Sequence, residues 1–237
     1  MSIAKYLKTI GIKTNQPRGR GFLFPYDVAF ASDDRIYALN RGRVNRKDNG
    51  AYGTRIQMLT YEEEWLGEWQ DQSFKLPVSM AFNSKDLLHI SDEILGEIKV
   101  FDRSGSPVAQ LGNSGVSGGS FKTPTGLAID GEDNVYVVER DRNRVHVITE
   151  KGDTILTWGE SGSGEGQFNM PWGIAIDRDG FVYVADWRND RIQKFTGNGE
   201  FLASFGKSGT GEGQFHRPSS IAIDAGGFIY VTDWGNE

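Results

Sequence analysis

The sequence predicts an all-β chain of four-stranded antiparallel blades set radially as a β-propeller, and three observations carry that expectation. A Phe-x-x-Pro start recurs at Phe22/Pro25, Phe74/Pro77, Phe121/Pro124, Phe168/Pro171 and Phe215/Pro218, and the last four starts are 47 residues apart. Each copy repeats the same four short stretches, clearest in the fourth: IAID at 174–177, FVYVAD at 181–186, RIQKF at 191–195 and FLASFG at 201–206. Each stretch is rich in Val, Ile, Phe and Tyr and bounded by Gly, Asp or Asn, which is the pattern of a strand. Four such strands cannot bury both faces of their sheet alone, so neighbouring copies must stack face to face.

Composition agrees. The 237 residues are 38% hydrophobic and 24% charged, enough for a sizeable core, and the 31 glycines suit a chain made of turns. With no cysteine there is no disulfide partner and no thiolate metal site, which favours a reducing compartment. No apolar run approaches membrane-spanning length, and MSIAKYLKTIGIK lacks the continuous apolar core of a signal peptide, so the expected location is cytoplasmic.

Taken in order, Tyr6–Gly11 matches the outermost strand Phe201–Gly206, so residues 1–20 are expected to supply a closing outer strand and its link. Blade 1 is then expected at 21–71, blade 2 at 72–119, blade 3 at 120–166, blade 4 at 167–213 and a partial blade 5 at 214–237. About 4.5 blades are thus expected here, and the missing last two strands of the fifth copy imply a C-terminal truncation. Completing six blades would take about 60 further residues, and completing five closed by the N-terminal strand only about 15. The cut is expected to expose Ile221, Ile223, Ile229 and Val231. Blade 1 differs in carrying fourteen residues between Asn40 and Arg55 where the later copies have four, and this polar, Gly-rich insertion is expected to be a loop. In a propeller it lies on the same face as the blade-to-blade links.

The unit F-x-x-P-x-G-I-A-I-D-x-x-G-x-[VI]-Y-V-x-D-x-x-N-x-R-[IV]-Q-x-F, seen at Gln167–Phe195 and again from Gln214, resembles the NHL repeat. The match is specific in copies three to five, looser in copy two and loosest in copy one. The resemblance implies a six-bladed propeller; such domains serve as protein-binding modules, RNA-binding modules and, rarely, lyases that hold zinc through channel histidines. Fold alone does not choose among them.

Repeat register discriminates among the candidate chemistries. His89, His146 and His216 fall at the positions of Tyr183, Gln193 and Asn169, on different strands or loops, so they are not expected to converge on a metal. Asp92, Glu139, Asp186 and Asp233 end the second strands, with Asn40 in copy one; a cation-binding ring is one reading, and carboxylates that tie down loop amides and the Arg five residues on (Arg144, Arg191) is the stronger one. The links ending in Phe168 and Phe215 are Gly-rich but lack the spacing and following helix of a phosphate loop, and Asp177–Gly180 fits a hairpin turn better than a calcium loop.

The register after the acids is the more informative. Trp187 and Trp234 stand where copies one to three have Arg41, Glu93 and Arg140. Either these tryptophans cap blade edges or they are exposed binding groups. Net charge is −6, yet residues 1–55 hold eleven Lys or Arg against four acids. A basic anion-binding patch is therefore expected from Arg18, Arg20, Arg41, Arg43, Arg46 and Lys47, with Arg140, Arg188, Trp187 and Trp234 completing the candidate ligand-binding set. The expected function is a non-catalytic binding or scaffold propeller with no cofactor or metal, whose loop face recognises a protein partner through an acidic segment, or a nucleic acid such as RNA. The alternative is a metal-assisted lyase or hydrolase with its site at the channel mouth.

Overall fold

The structure, a computed structural model, describes residues 21–22, 24–44, 51–112 and 120–236, with 43–44 and 51–52 as backbone only. Among them are four complete antiparallel sheets. Blade 1 comprises Pro25–Phe30, Ile36–Asn40, Arg55–Leu59 and Trp65–Trp69, and blade 2 Pro77–Phe82, Leu88–Asp92, Glu97–Phe101 and Pro107–Leu111. Blade 3 comprises Pro124–Ile129, Val135–Glu139, Arg144–Ile148 and Thr154–Trp158, and blade 4 Ile174–Ile176, Val182–Asp186, Arg191–Phe195 and Phe201–Phe205. Blade 5 is the pair Pro218–Ile223 and Ile229–Asp233. The all-β propeller expectation holds, and no helix among the described residues is long and apolar enough to cross a membrane.

Each sheet is ordered as its strands run in the chain, and the first strands of successive blades lie side by side around a central cavity. The second strands of blades 1 to 4 are buried along their whole length, because both their faces are covered. The cores lie between blades. Tyr37, Leu39 and Ile56 of blade 1 pack on Met80, Leu88 and Phe101 of blade 2; Ile98 and Val100 on Leu127 and Val137; Val138 and Val145 on Val182 and Phe195; Tyr183 and Ile192 on Ile221. Every blade thus completes its neighbour's core, which is what obliges the repeats to stack.

Two expectations are modified. The blade-1 insertion is not wholly loop: Arg43–Val44 pairs with Ala51–Tyr52, since a long excursion must satisfy its backbone groups and pairing its two arms does so. In blade 5, Ile221 is buried and Ile223 and Val231 are half-buried against blade 4, so only Ile229 of the four residues expected to be exposed is exposed. The exposed apolar groups there are its neighbours Phe228 and Tyr230.

The turn at Asp177 behaves as a hairpin. Its Oδ1 accepts from the amides of Asp179 (3.0 Å) and Phe181 (2.9 Å), and Gly180 supplies the left-handed φ of 81°. The Gly-rich link likewise folds on itself: Glu160–Ser161 runs parallel to Gln167–Phe168, and Gln167 Oε1 accepts from the Gly164 amide at 2.9 Å.

Candidate functional site

The site is built on the acids that end the second strands. Asp186 accepts from the Asn169 amide (2.7 Å), Asn189 Nδ2 (2.8 Å), Arg191 Nε (2.8 Å) and Gln193 Nε2 (3.1 Å). Asp92 takes the amides of Lys75 (2.7 Å), Leu76, Ile94 and Leu95. Glu139 takes the Lys122 amide (2.8 Å), an Arg142 NH group (2.6 Å) and Arg144 Nε (2.5 Å). Asp233 takes the His216 amide (2.9 Å) and Asn236 Nδ2 (2.6 Å). These carboxylates therefore tie each blade's entry segment to the loop after its second strand, rather than facing one another around an ion. Burial pushes the Asp186 carboxyl up against its donors; for Glu139 burial acts the same way but is outweighed by His146, the Lys122 amide and Arg144, which hold it down at about 2.

Pinning those loops fixes the next residue. In blades 3 and 4 a single 3-10 turn follows at once, Arg140–Arg142 and Trp187–Asn189, each ending in a left-handed residue, Asn143 (φ 50°) or Asp190 (φ 53°). The loops abut the blade-to-blade links, as Asn189 Nδ2 donating to Gly162 O (2.9 Å) and Arg191 donating to Gly164 O (2.7 Å) show, so the expected shared face is present.

On this face a ladder of cations and aromatics crosses three blades. The Arg140 guanidinium lies 5.2 Å from the Trp172 ring centre; Trp172 and Trp187 are 6.1 Å apart and tilted by 41°; Arg217 lies 5.0 Å from Trp187 and 5.4 Å from Trp234. Arg188 leans on Trp187 at 5.6 Å, and Arg41 stacks on Tyr26 at 3.7 Å. Such contacts contribute about 0.5–1 kcal/mol each where exposed. Trp187 and Trp172 are half-buried, while Trp234 is 68% exposed. Arg140 also forms an ion pair with Glu93 at 2.8 Å, linking the same register of blades 2 and 3.

The ladder rims the central cavity, whose volume is about 920 Å³ and whose wall takes residues from the first strands of all five blades. Two charged residues line it, Arg217 at the tryptophans and Asp27 on the first strand of blade 1. The Asp27 carboxylate accepts from Ser79 Oγ (2.8 Å) and the amides of Met80 (2.7 Å) and Val28 (2.9 Å), and burial pushes it up to about 6 despite them.

Of the residues picked from sequence, the structure brings Arg140, Trp187, Arg188 and Trp234 into one ladder and places Arg41 against Tyr26. Arg18, Arg20, Arg46, Lys47 and the Arg43 side chain lie outside the described residues. Three lining residues were missed: Trp172, Arg217 and Asp27. Each was visible as a departure from register: Trp172 stands where other copies have Tyr26, Val78, Thr125 and Ser219, Arg217 where they have Phe24, Leu76, Thr123 and Met170, and Asp27 where they have Ser79, Gly126, Gly173 and Ser220. The histidines are apart, as register required. His89 is buried and bonded to Leu87 O, His146 bonds Thr154 Oγ1, and the His216 amide is held by Asp233. Among the described residues no three His, Asp or Glu side chains come together to hold a metal ion.

The NHL repeat profile matches residues 168–195, the stretch that carries Trp172, Asp186 and Trp187. The chain is a β-propeller carrying an NHL repeat. No curated protein matches this propeller in a sequence comparison. Among solved structures it is similar to a streptogramin B lyase (13% identity, TM-score 0.66, covering 94% of this chain and 65% of that one). It is also similar to a gluconolactonase from Xanthomonas campestris (14%, 0.63, 89% and 69%) and to a chain of a nidogen/laminin complex (16%, 0.66, 89% and 72%). At these identities the likeness is one of fold. The chain spans about two thirds of the length of the lyase chain.

Proposed function

We propose that this propeller is a binding module that receives an acidic protein segment at the mouth of its central cavity. The observation that carries this reading is the Arg140–Trp172–Trp187–Arg217–Trp234 ladder. Trp and Arg are the side chains that dominate binding hot spots, because they offer large apolar area with few rotamers to freeze. Stacking on indole rings orients a guanidinium and leaves its edge to donate to carboxylates. Arg217 has no ion pair among the described residues, so its fork is open to a partner. The likeness to a nidogen/laminin chain supports protein binding on this kind of scaffold; the lyase and lactonase names belong to those proteins, and the described residues offer no metal-ligating cluster to favour that reading.

The test is fluorescence anisotropy with labelled acidic peptides. Trp187→Ala combined with Trp234→Ala should weaken binding by about tenfold or more, equivalent to about 1.4 kcal/mol, with little change in melting temperature. Unchanged affinity would remove the ladder from the binding surface. Tighter binding of single-stranded RNA than of any acidic peptide would move the reading to nucleic acid.

A further inference from the structure

The cavity below the ladder has its own chemistry. Its wall is largely apolar, with Val28, Val78, Met80, Leu127, Ile174 and Ile221 among its lining residues, and only two lining residues carry charge. Neither has a partner of opposite sign among the described residues. Arg140, Arg191, Arg144 and Arg103, by contrast, all meet carboxylates.

Arg217 is held by its backbone. Its amide donates to Asp190 Oδ1 at 2.8 Å, its carbonyl accepts from the Trp234 amide at 3.2 Å, and its φ of 66° is one that a non-glycine residue occupies only when its surroundings impose it. The side chain is gripped by two indoles rather than by an acid. A guanidinium so fixed is a ready receptor for an oxyanion, preferring a carboxylate's two parallel oxygens.

Asp27 is the complementary group. The matching position in blades 2 and 5 is Ser and in blades 3 and 4 Gly, so the repeat fold does not need a carboxylate there. Its three donors, Ser79 Oγ and the Met80 and Val28 amides, are neutral. The acid thus sits in an apolar-walled cavity without a cation, and a ligand ammonium is the charge that would complete it.

Taking the channel mouth as the binding surface, we propose that the cavity binds a zwitterionic ligand, a short peptide with free ends, whose carboxylate meets Arg217 and whose ammonium meets Asp27. The apolar wall takes the side chains between them. The two charged residues come from blades 1 and 5, so they select ligand length as well as charge.

The experiment is a tryptophan-fluorescence titration, since Trp187 and Trp234 flank Arg217. The probes are leucyl-alanine and its extensions by one and two alanines, each in three forms: free ends, N-acetylated and C-amidated. One length should bind with both ends free at least about tenfold more tightly than either blocked form. Arg217→Gln should erase the preference over the amide and leave that over the acetylated form. Asp27→Ser, which installs the residue found in blades 2 and 5, should do the reverse. Arg217→Lys should keep part of the carboxylate preference. Equal affinity for free and blocked peptides, or no saturable quenching by any of them, overturns the inference. If peptides bind, are weakened by Trp187→Ala and still ignore end charges, the mouth remains the binding surface and only the zwitterion is wrong. If binding is also indifferent to Trp187, both fall.

Discussion

The ring of Phe168 closes over Gly159 so tightly that a β-carbon on the glycine would lie 2.5 Å from it. The same relationship joins Phe121 to Gly112 and Phe215 to Gly206, with β-carbons 2.2 and 2.3 Å from the rings, and all three glycines have φ between 82° and 94°. In blades 3 to 5 the opening phenylalanine is therefore seated on the end of the preceding blade, and this explains both why those starts begin with Phe and why the fourth stretch before each ends in Gly. Gly159→Ala meets a steric clash and a forbidden φ together, and should cost about 2 kcal/mol or more. Gly180→Ala, at φ 81° with nothing within 4 Å, should cost about 1 kcal/mol from the backbone alone. Thermal melts of the two variants check the difference; equal losses would mean that the ring contact contributes nothing.

The repeat made most of the fold legible, since the Phe-x-x-Pro phase and the four strand stretches located the sheets to within a residue or so. Trp187 and Trp234 were also legible, because they break a register otherwise filled by Arg41, Glu93 and Arg140. What the sequence could not show was which departures converge. Trp172, Arg217 and Asp27 sit in three different registers on blades 4, 5 and 1, and only radial packing brings them to one cavity. The role of the acids was legible as chemistry, but the spread of donors was not: Asp92 draws on four backbone amides and Asp186 on three side chains and one amide.

Glu139 gives the chain a defined acid sensitivity. Its folded-state carboxyl is held at about 2, below the ordinary 4.5, with Arg142, Arg144 and His146 packed against it. A depressed carboxylate contributes stability that is fully present above its unfolded pKa and is lost as pH falls toward the folded one. Wild type should therefore lose melting temperature from about pH 5 down to about pH 2, and Glu139→Gln should start lower at neutral pH by roughly 3 kcal/mol and fall less steeply. Melts across that range decide it, and parallel curves for the two proteins would show that this carboxylate is not the sensor.

The Glu93–Arg140 pair joins adjacent blades at the rim, with both side chains mostly covered, 15% and 16% exposed. Glu93→Gln should destabilise by only about 0.5–1 kcal/mol, because Arg140 keeps Asp141 at 3.1 Å and the Trp172 ring. The larger effect should be on binding: releasing Arg140 from Glu93 raises the positive charge of the ladder and should tighten acidic peptides at low salt, an advantage that fades as salt screens it. Anisotropy titrations at two salt concentrations measure this, and weaker binding by Glu93→Gln at low salt would argue that Glu93 positions Arg140 instead of competing for it.

Exposed apolar side chains cluster on the first strand of blade 1 and the residue before it, and on the second strand of blade 5 and the residue before it. Phe24, Val28 and Phe30 are 56%, 54% and 61% exposed, and Phe228, Ile229 and Tyr230 are 58%, 37% and 46%. Elsewhere the corresponding faces are buried against the next blade, as Leu127 and Val137 are against Ile98 and Val100. Apolar sheet faces of this kind find a partner when one is available, and in a purified preparation of this chain the available partner is another copy. The 237-residue chain should therefore self-associate with rising concentration in sedimentation velocity, and Val28→Lys with Ile229→Lys should shift it toward monomer without lowering its melting temperature, since neither side chain is buried. A chain that stays monomeric throughout the concentration series would show that these faces are not adhesive, and the two lysines would then change nothing.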